Sequence, residues 1–346
     1  MGHPRQIGWL VGASLAAAAT LAPAPRPAAP VEAPPSPISR DVHLMGTRAT
    51  LTTFDAVRSR GLARLETLLE ALEATDAELS TWRADSALSR LNTAPPGAPV
   101  RLPASLCRTL GDVRRWTSQT GGAFDPAVAP LVDAWQIRSG GAVPDAETLR
   151  RARRASGLHH LRLDERACVA VRTGDVSLDA GAFGKGEALD RAADAVGGVA
   201  PWIIDLGGQV IVHGAPPGGS GWTVDVAHPQ RRDDVALTVT FERGSLATSG
   251  GSERDRLVGG TRIGHILDPR TGRPATYQGS VTVWHERALV ADVLSTALFV
   301  MGVDAGLAWA DDHGVAAVFL QTGDGRGLNV SASDAFAKHF PGSGAR

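Results

Sequence analysis

Lysine is nearly missing from this sequence: Lys185 and Lys338 stand alone among 35 basic Lys and Arg residues. The other cationic positions have drifted to arginine. A lysine kept against that drift points to a need for a compact ammonium rather than a planar fork. Aromatic residues are sparse too, at 5% with a single tyrosine. Cysteine occurs only at Cys107 and Cys168, in no CxxC or ligand-type cluster, so neither is assigned a role. A disulfide and two buried thiols both stay open. The net charge is −1 and no dense basic run occurs, which argues against nucleic-acid binding. Walker-type GxxxxGK[ST] and dinucleotide GxGxxG loops are both lacking.

A targeting segment opens the chain. Arg5 supplies positive charge, Ile7 to Leu21 is apolar and alanine-rich, and Ala22-Pro23-Ala24 offers a cleavage region. The apolar run is short for a bilayer span, which needs about 20 residues. No cysteine near it suggests a lipid anchor, and no Arg-Arg pair suggests a twin-arginine signal. Pro23 to Pro37 then reads as a linker. The expectation is a signal peptide and linker over residues 1–37 and one domain over 38–346. Such a protein is exported, to the periplasm or the outer face of the cytoplasmic membrane; an uncleaved N-terminal anchor is the alternative.

Along the rest of the chain, helices are expected at Leu62–Leu79, Pro103–Gln119, on to Trp135, Asp145–Ser156, Glu187–Val196, Ala291–Met301 and Ser333–His339. Strands are expected at Val42–Phe54, interrupted at Met45-Gly46-Thr47, and in a hairpin of Leu161–Val171 with Val176–Leu178. Further strands are expected at Trp202–Leu206, Gln209–His213, Trp222–Ala227 and Val235–Phe241, then at Ser245–Thr248, Thr261–Leu267, Ser280–Trp284 and Val315–Leu320. Ser80–Asn92 reads as polar and turn-like. Strands mixed with helices, without regular βαβ alternation, give an α+β protein: largely antiparallel sheets with flanking helices, in two lobes.

The chemistry gathers in a few segments. Ala291 to Val300 reads as a helix apolar on nearly every side, hence buried, yet it carries Asp292 and, one turn on, Thr296. A buried carboxylate needs a partner, and Mg²⁺ accounts for both oxygens because it takes oxygen ligands and shares them with phosphates. The other reading is an acidic residue in the first helical turn, favoured by the dipole. Leu178-Asp179-Ala180-Gly181-Ala182-Phe183-Gly184-Lys185-Gly186 follows a strand and opens a helix. A helix start of this kind offers N–H groups to phosphate. Thr120-Gly121-Gly122-Ala123-Phe124-Asp125 lets backbone approach a ligand, and Phe124 can pack on a flat ring. Asp205-Leu206-Gly207-Gly208 reads as a structural turn. His265, before Ile266-Leu267-Asp268-Pro269, is a candidate base near neutral pH. The sum is a site for a phosphate ester that carries a flat ring.

Taken together these segments resemble the ApbE family of FAD:protein FMN transferases. The resemblance runs from about Met45 to the C-terminal helix. It rests on MGT (45–47), ELSTWRADSALSRLN (78–92), TGGAFDPAVAPLVDAW (120–135), LDAGAFGKGEALDRAA (178–193), DLGG (205–208), ATSG (247–250), HILDPRTGRP (265–274) and ADVLSTALFVMG (291–302). It implies a flavin site lined by Met45 and Trp82, and FAD contacts from Ala123, Phe124, Asp125, Asp179, Lys185 and Ile266. It further implies Mg²⁺ ligation by Asp292, Thr296 and the carbonyl of Ala182, and a base at His265. Trp82 replaces the tyrosine often found there, keeping stacking without the phenolic hydrogen bond. Phe183 is bulkier than the usual isoleucine, which implies a shifted ring.

The implied activity is Mg²⁺-dependent transfer of FMN from FAD to a threonine hydroxyl of an acceptor, with AMP released. The implied acceptor carries an FMN-binding domain in extracytoplasmic electron transfer. The alternatives are hydrolysis of FAD to FMN and AMP, and a periplasmic flavin-binding protein without turnover.

Overall fold

An eight-stranded antiparallel sheet organises the chain. Its strands, edge to edge, are Pro37–Leu44, Thr47–Phe54, Trp202–Leu206, Gln209–His213, Arg243–Gly250, Gly279–His285, Ala316–Thr322 and Leu328–Ala332. The computed structural model describes residues 35–198, 200–251, 255–258, 260–322 and 327–343. The expected signal peptide falls outside these residues, and the first strand already begins at Pro37. Among the described residues, no helix is long and apolar enough to cross a membrane.

Side chains alternate across a strand, and both faces of this sheet are covered. On one face Ala247, Val281, Val283, Ala317 and Phe319 meet the helix Ala288–Met301. Leu51, Ile204 and Ile211 meet the helices Arg58–Leu79 and Gly184–Val196. On the other face Leu246, Val318 and Leu320 pack against the hairpin Trp222–Ala227 with Val235–Phe241 and against Phe336 and Phe340 of the C-terminal end. Burial on two sides explains why Val315 to Leu320 is a continuous apolar run rather than an alternating one.

The helix Ala288–Met301 is sandwiched. Val290, Ala291, Leu294 and Leu298 face the sheet. Leu289, Val293, Ala297 and Val300 join a second core with Leu106, Leu110, Phe124 and Phe183. The stripe left over holds Asp292 and Thr296. Asp292 is the fifth residue of this helix, past the first turn, so the helix dipole does not account for it. The helix start is instead capped from outside: Ala288 N–H and Leu289 N–H donate to Asp190 Oδ1 and Oδ2 at 2.5 and 3.1 Å.

Burial outweighs those two hydrogen bonds and pushes Asp190 up to about 6 from 3.8. The folded state therefore holds the proton more tightly than the unfolded chain. That contribution to stability is complete below pH 3.8 and is lost as pH rises through about 6. Asp190→Asn is expected to flatten this dependence. Relative to the variant, the native chain gains up to about 3 kcal/mol between pH 7 and pH 3, at 1.36 kcal/mol per unit, read from denaturant midpoints.

Four strands fall within the expected bounds: Trp202–Leu206, Gln209–His213, Trp222–Ala227 and Val235–Phe241. Other segments differ for local reasons. Ser80–Asn92 is not all turn, because Ser86 caps a short helix, Ala87–Thr93, by accepting from Ser89 N–H at 2.9 Å. Val176–Leu178 forms no hairpin strand; the Asn92 side chain takes both Leu178 N–H and Leu178 C=O, at 2.8 and 2.9 Å. Pro99–Arg101 fills that role beside Val169–Arg172. Val42–Phe54 is a hairpin rather than one interrupted strand. Met45 and Gly46, with φ of 51° and 72°, form the two-residue turn whose twist suits tightly paired strands. Val303–Asp312 is a helix that the pattern did not predict. Cys107 and Cys168 are joined in a disulfide with a Cα separation of 5.5 Å.

Candidate active site

All twelve residues singled out by sequence line one cavity of about 1360 Å³: Met45, Trp82, Ala123, Phe124, Asp125, Asp179, Ala182, Lys185, His265, Ile266, Asp292 and Thr296. They come from elements some 250 residues apart, and the three layers fix their convergence.

At the closed end lies Asp292, 4% exposed. Lys185 Nζ donates to its Oδ1 and Oδ2 at 3.0 and 3.3 Å, and Gly186 N–H donates to Oδ2 at 3.0 Å. This close approach needs glycine. A Cβ on Gly186 sits 2.4 Å from the carbonyl oxygen of Ala288, so any side chain there pries the two helices apart. The helix Gly184–Val196 begins three residues earlier than expected, and Lys185 therefore lies in its first turn.

These contacts correct one expectation. The burial of Asp292 does not by itself call for a cation, because Lys185 and a backbone N–H already compensate the carboxylate. The case for Mg²⁺ rests instead on the donors that meet at the cavity. Among the described residues no three His, Cys, Asp or Glu side chains gather to hold a metal. What the cavity does present is a carboxylate from Asp292, a hydroxyl from Thr296 and the Ala182 residue whose carbonyl was expected to ligate. An all-oxygen set with few protein ligands suits Mg²⁺, which keeps waters and takes substrate phosphates. Ser249 Oγ reaches Thr296 Oγ1 at 3.3 Å and Ser295 Oγ at 2.9 Å, and Ser295 Oγ donates to Asp292 C=O at 2.9 Å. This hydroxyl chain ties the ATSG strand to the Asp292 helix.

The mouth is aromatic and charged. Trp82 is 81% exposed, and the Arg138 guanidinium stands 5.7 Å from its ring centre. Arg138 in turn pairs with Asp179 Oδ2 at 2.6 Å, while Asp179 Oδ1 accepts from Gly181 N–H at 2.9 Å. A large exposed ring beside a cation is a stacking platform for a flat ligand. Phe124 is 1% exposed, so its ring is packed in the core rather than presented as an open stacking face. Phe183 is wholly buried and does not line the cavity. Its bulk is spent in the core, contrary to the expected shift of a bound ring. Asp125 accepts from Ala127 N–H and Leu158 N–H at 2.8 and 2.9 Å, and burial pushes its carboxyl above the usual range. Asp205 accepts from Gly208 N–H at 2.8 Å, which closes the turn expected there.

His265 and Ile266 reach the cavity from a short loop. Trp135 Nε1 donates to Gly272 C=O at 2.8 Å, Ala275 N–H donates to Ile266 C=O at 2.9 Å, and Leu267 packs with Leu131 and Trp135. The His265 side chain is held at Nδ1, 2.9 Å from Asp255 Oδ1. Asp255, Gly186, Ser249 and Arg138 went unassigned by sequence. Gly186 and Ser249 lie inside matched motifs, whereas Asp255 and Arg138 carry no local signal.

The fold and cavity leave room for a flat, phosphate-bearing ligand between an aromatic mouth and a lysine–carboxylate floor, with a histidine at its wall. The profile of the ApbE family matches residues 45–319. A Klebsiella pneumoniae FAD:protein FMN transferase is 29% identical over 89% of this chain and 92% of its own length. A Treponema pallidum FAD:protein FMN transferase is 33% identical over 75% of this chain and 77% of its own. The apo crystal structure of Pseudomonas stutzeri flavinyl transferase ApbE superposes with a TM-score of 0.78 at 27% identity, covering 89% of this chain and 98% of that one. The chain belongs to the ApbE family.

Proposed function

We propose that this protein is a flavin transferase that moves the FMN half of FAD onto a threonine hydroxyl of an acceptor protein and releases AMP. The observation that carries the reading is the single cavity in which Lys185, Asp292 and Thr296 sit beside His265, with Trp82 at the mouth. The curated relatives of similar length bear the name of this activity.

In this mechanism Trp82 and Met45 receive the flavin ring and the helix start at Gly184 faces the pyrophosphate. Lys185 is 28% exposed at its side chain, so its ammonium can face a phosphate while Asp292 holds it in place. The acceptor hydroxyl attacks the FMN-side phosphorus. A new O–P bond forms, the bond to the AMP oxygen breaks, and His265 accepts the hydroxyl proton. Asp292, Thr296 and Ala182 are the residues to hold Mg²⁺, which when bound supplies charge neutralisation to the pyrophosphate. Most of the rate then comes from positioning and electrostatics, as in other phosphoryl transfers.

Export to the periplasm or outer membrane face is part of the same proposal. The disulfide supports it, since such bonds persist in oxidising compartments.

Incubating residues 38–346 with FAD, Mg²⁺ and a candidate FMN-binding acceptor domain tests the reading. The expected result is an acceptor heavier by one FMN with one AMP released. AMP without mass gain establishes the pyrophosphatase instead, and FAD binding with neither product reduces the protein to a flavin carrier.

A further inference from the structure

We infer that Asp255 is a positioning residue for His265: its carboxylate fixes which ring nitrogen acts as the base. This rests on the proposed role of His265. Asp255 Oδ1 accepts twice from one residue, from His265 N–H at 3.1 Å and at Nδ1 at 2.9 Å. The Asp255 side chain is 7% exposed and that of His265 is 20% exposed. An ionised carboxylate is only an acceptor, so Nδ1 carries the ring hydrogen. The ring belongs to a side chain that lines the cavity, and in this tautomer Nε2 is the ring atom able to take a proton.

The double contact does two things. The backbone bond sets where the loop presents residue 265, and the ring bond sets rotation and tautomer. When Nε2 takes the proton from the acceptor hydroxyl, the ring becomes an imidazolium beside a carboxylate, which stabilises the charge without moving a second proton. The proton on Nε2 afterwards leaves to the departing phosphate or to water. A carboxylate that orients a histidine base in this manner is the general logic of activated nucleophiles. The two partners lie ten positions apart, on either side of the pair Arg256–Val258 and Thr261–Ile263. That hairpin closes the chain on itself and returns it to Asp255.

Asp255→Asn keeps the size and one acceptor oxygen while removing the charge. It is expected to lower kcat for FMN transfer at least tenfold, a share of the roughly 10²–10⁴-fold that a general base contributes. KM for FAD should stay within about twofold, because neither atom involved grips the flavin. The ¹⁵N spectrum of the His265 ring should show Nδ1–H in the native protein and lose that single form in the variant. In a His265→Ala background, Asp255→Asn should cost nothing further, since Asp255 acts through the ring. If His265→Ala retains full transfer, the base reading itself fails and this inference goes with it. If His265→Ala is inactive but Asp255→Asn keeps native kcat and the native ring tautomer, this inference alone is overturned. An additive loss in the double variant likewise overturns it, by assigning Asp255 to general loop structure.

Discussion

Asp292→Asn abolishes flavin transfer to within measurement, a loss on the order of 10³-fold, the scale of removing one preorganised electrostatic group. The substitution is near-isosteric, so the packing of the helix Ala288–Met301 is kept. What changes is the charge that holds the Lys185 ammonium at 3.0 Å and that presents an anionic oxygen to the cavity. Removing one partner of a buried pair also destabilises the fold. The half-open Lys185 puts the expected cost near the low end of the range for such pairs, about 3 kcal/mol. Thermal unfolding of the variant, measured beside its transfer rate, separates the two effects. A variant that stays folded at the assay temperature and still labels the acceptor at the native rate removes Asp292 from the active centre. Lys185→Met/Asp292→Leu should regain part of the lost stability and none of the activity, because a neutral apolar pair satisfies the helix contact but not the ligand.

Replacing Cys107 and Cys168 by alanine lowers unfolding free energy by about 4 kcal/mol and leaves transfer at moderate temperature close to native. The bridge closes a loop with a sequence separation of 61 residues, and the chain-entropy model gives about 4 kcal/mol for a loop of that size. It ties the helix Ala104–Gln119 to the turn between Leu161–Asp164 and Val169–Arg172, inside the core that backs Leu289 and Val293. Neither cysteine lines the cavity. Urea midpoints of the native and double-alanine proteins provide the measurement. Identical midpoints mean that the bridge contributes nothing to folding.

Much of the site was legible because its chemistry is written in residue types that are conspicuous out of place. An aspartate in an apolar helix, a lysine in a lysine-poor chain and adjacent glycines before a helix are each visible without coordinates. The partner of the aspartate was not. Burial announces that a carboxylate is compensated but not by what, and Lys185 satisfies the demand as well as a cation does. Arg138 and Asp255 were hidden for a different reason. An arginine in a Gly-rich loop and an aspartate in a polar stretch look like any solvated residue until the chain folds back.

Secondary structure was readable where one dominant period runs through a segment long enough to show it, helped in places by a capping residue. Trp202–Leu206 and Gln209–His213 alternate or run apolar between glycines. The Asp145 cap and the Ser333 cap each accept from an N–H of the first turn of the helix that follows. Reading failed where a side chain from far away took the backbone's hydrogen bonds, as Asn92 does at Leu178, and where a short helix is held by burial rather than propensity, as Leu88 and Leu91 hold Ala87–Thr93.

Residue chemistry and local periodicity, which act within a few positions of the chain, already specified an α+β protein with an anion-seeking glycine turn and an acidic apolar helix. Tertiary packing alone decided that the turn and the helix touch at Gly186, that Lys185 rather than bulk water neutralises Asp292, and that Asp255 holds the ring of His265. Those pairings depend on distances between groups separated by 10 to 107 positions. Such distances are set only when both faces of the sheet have been covered.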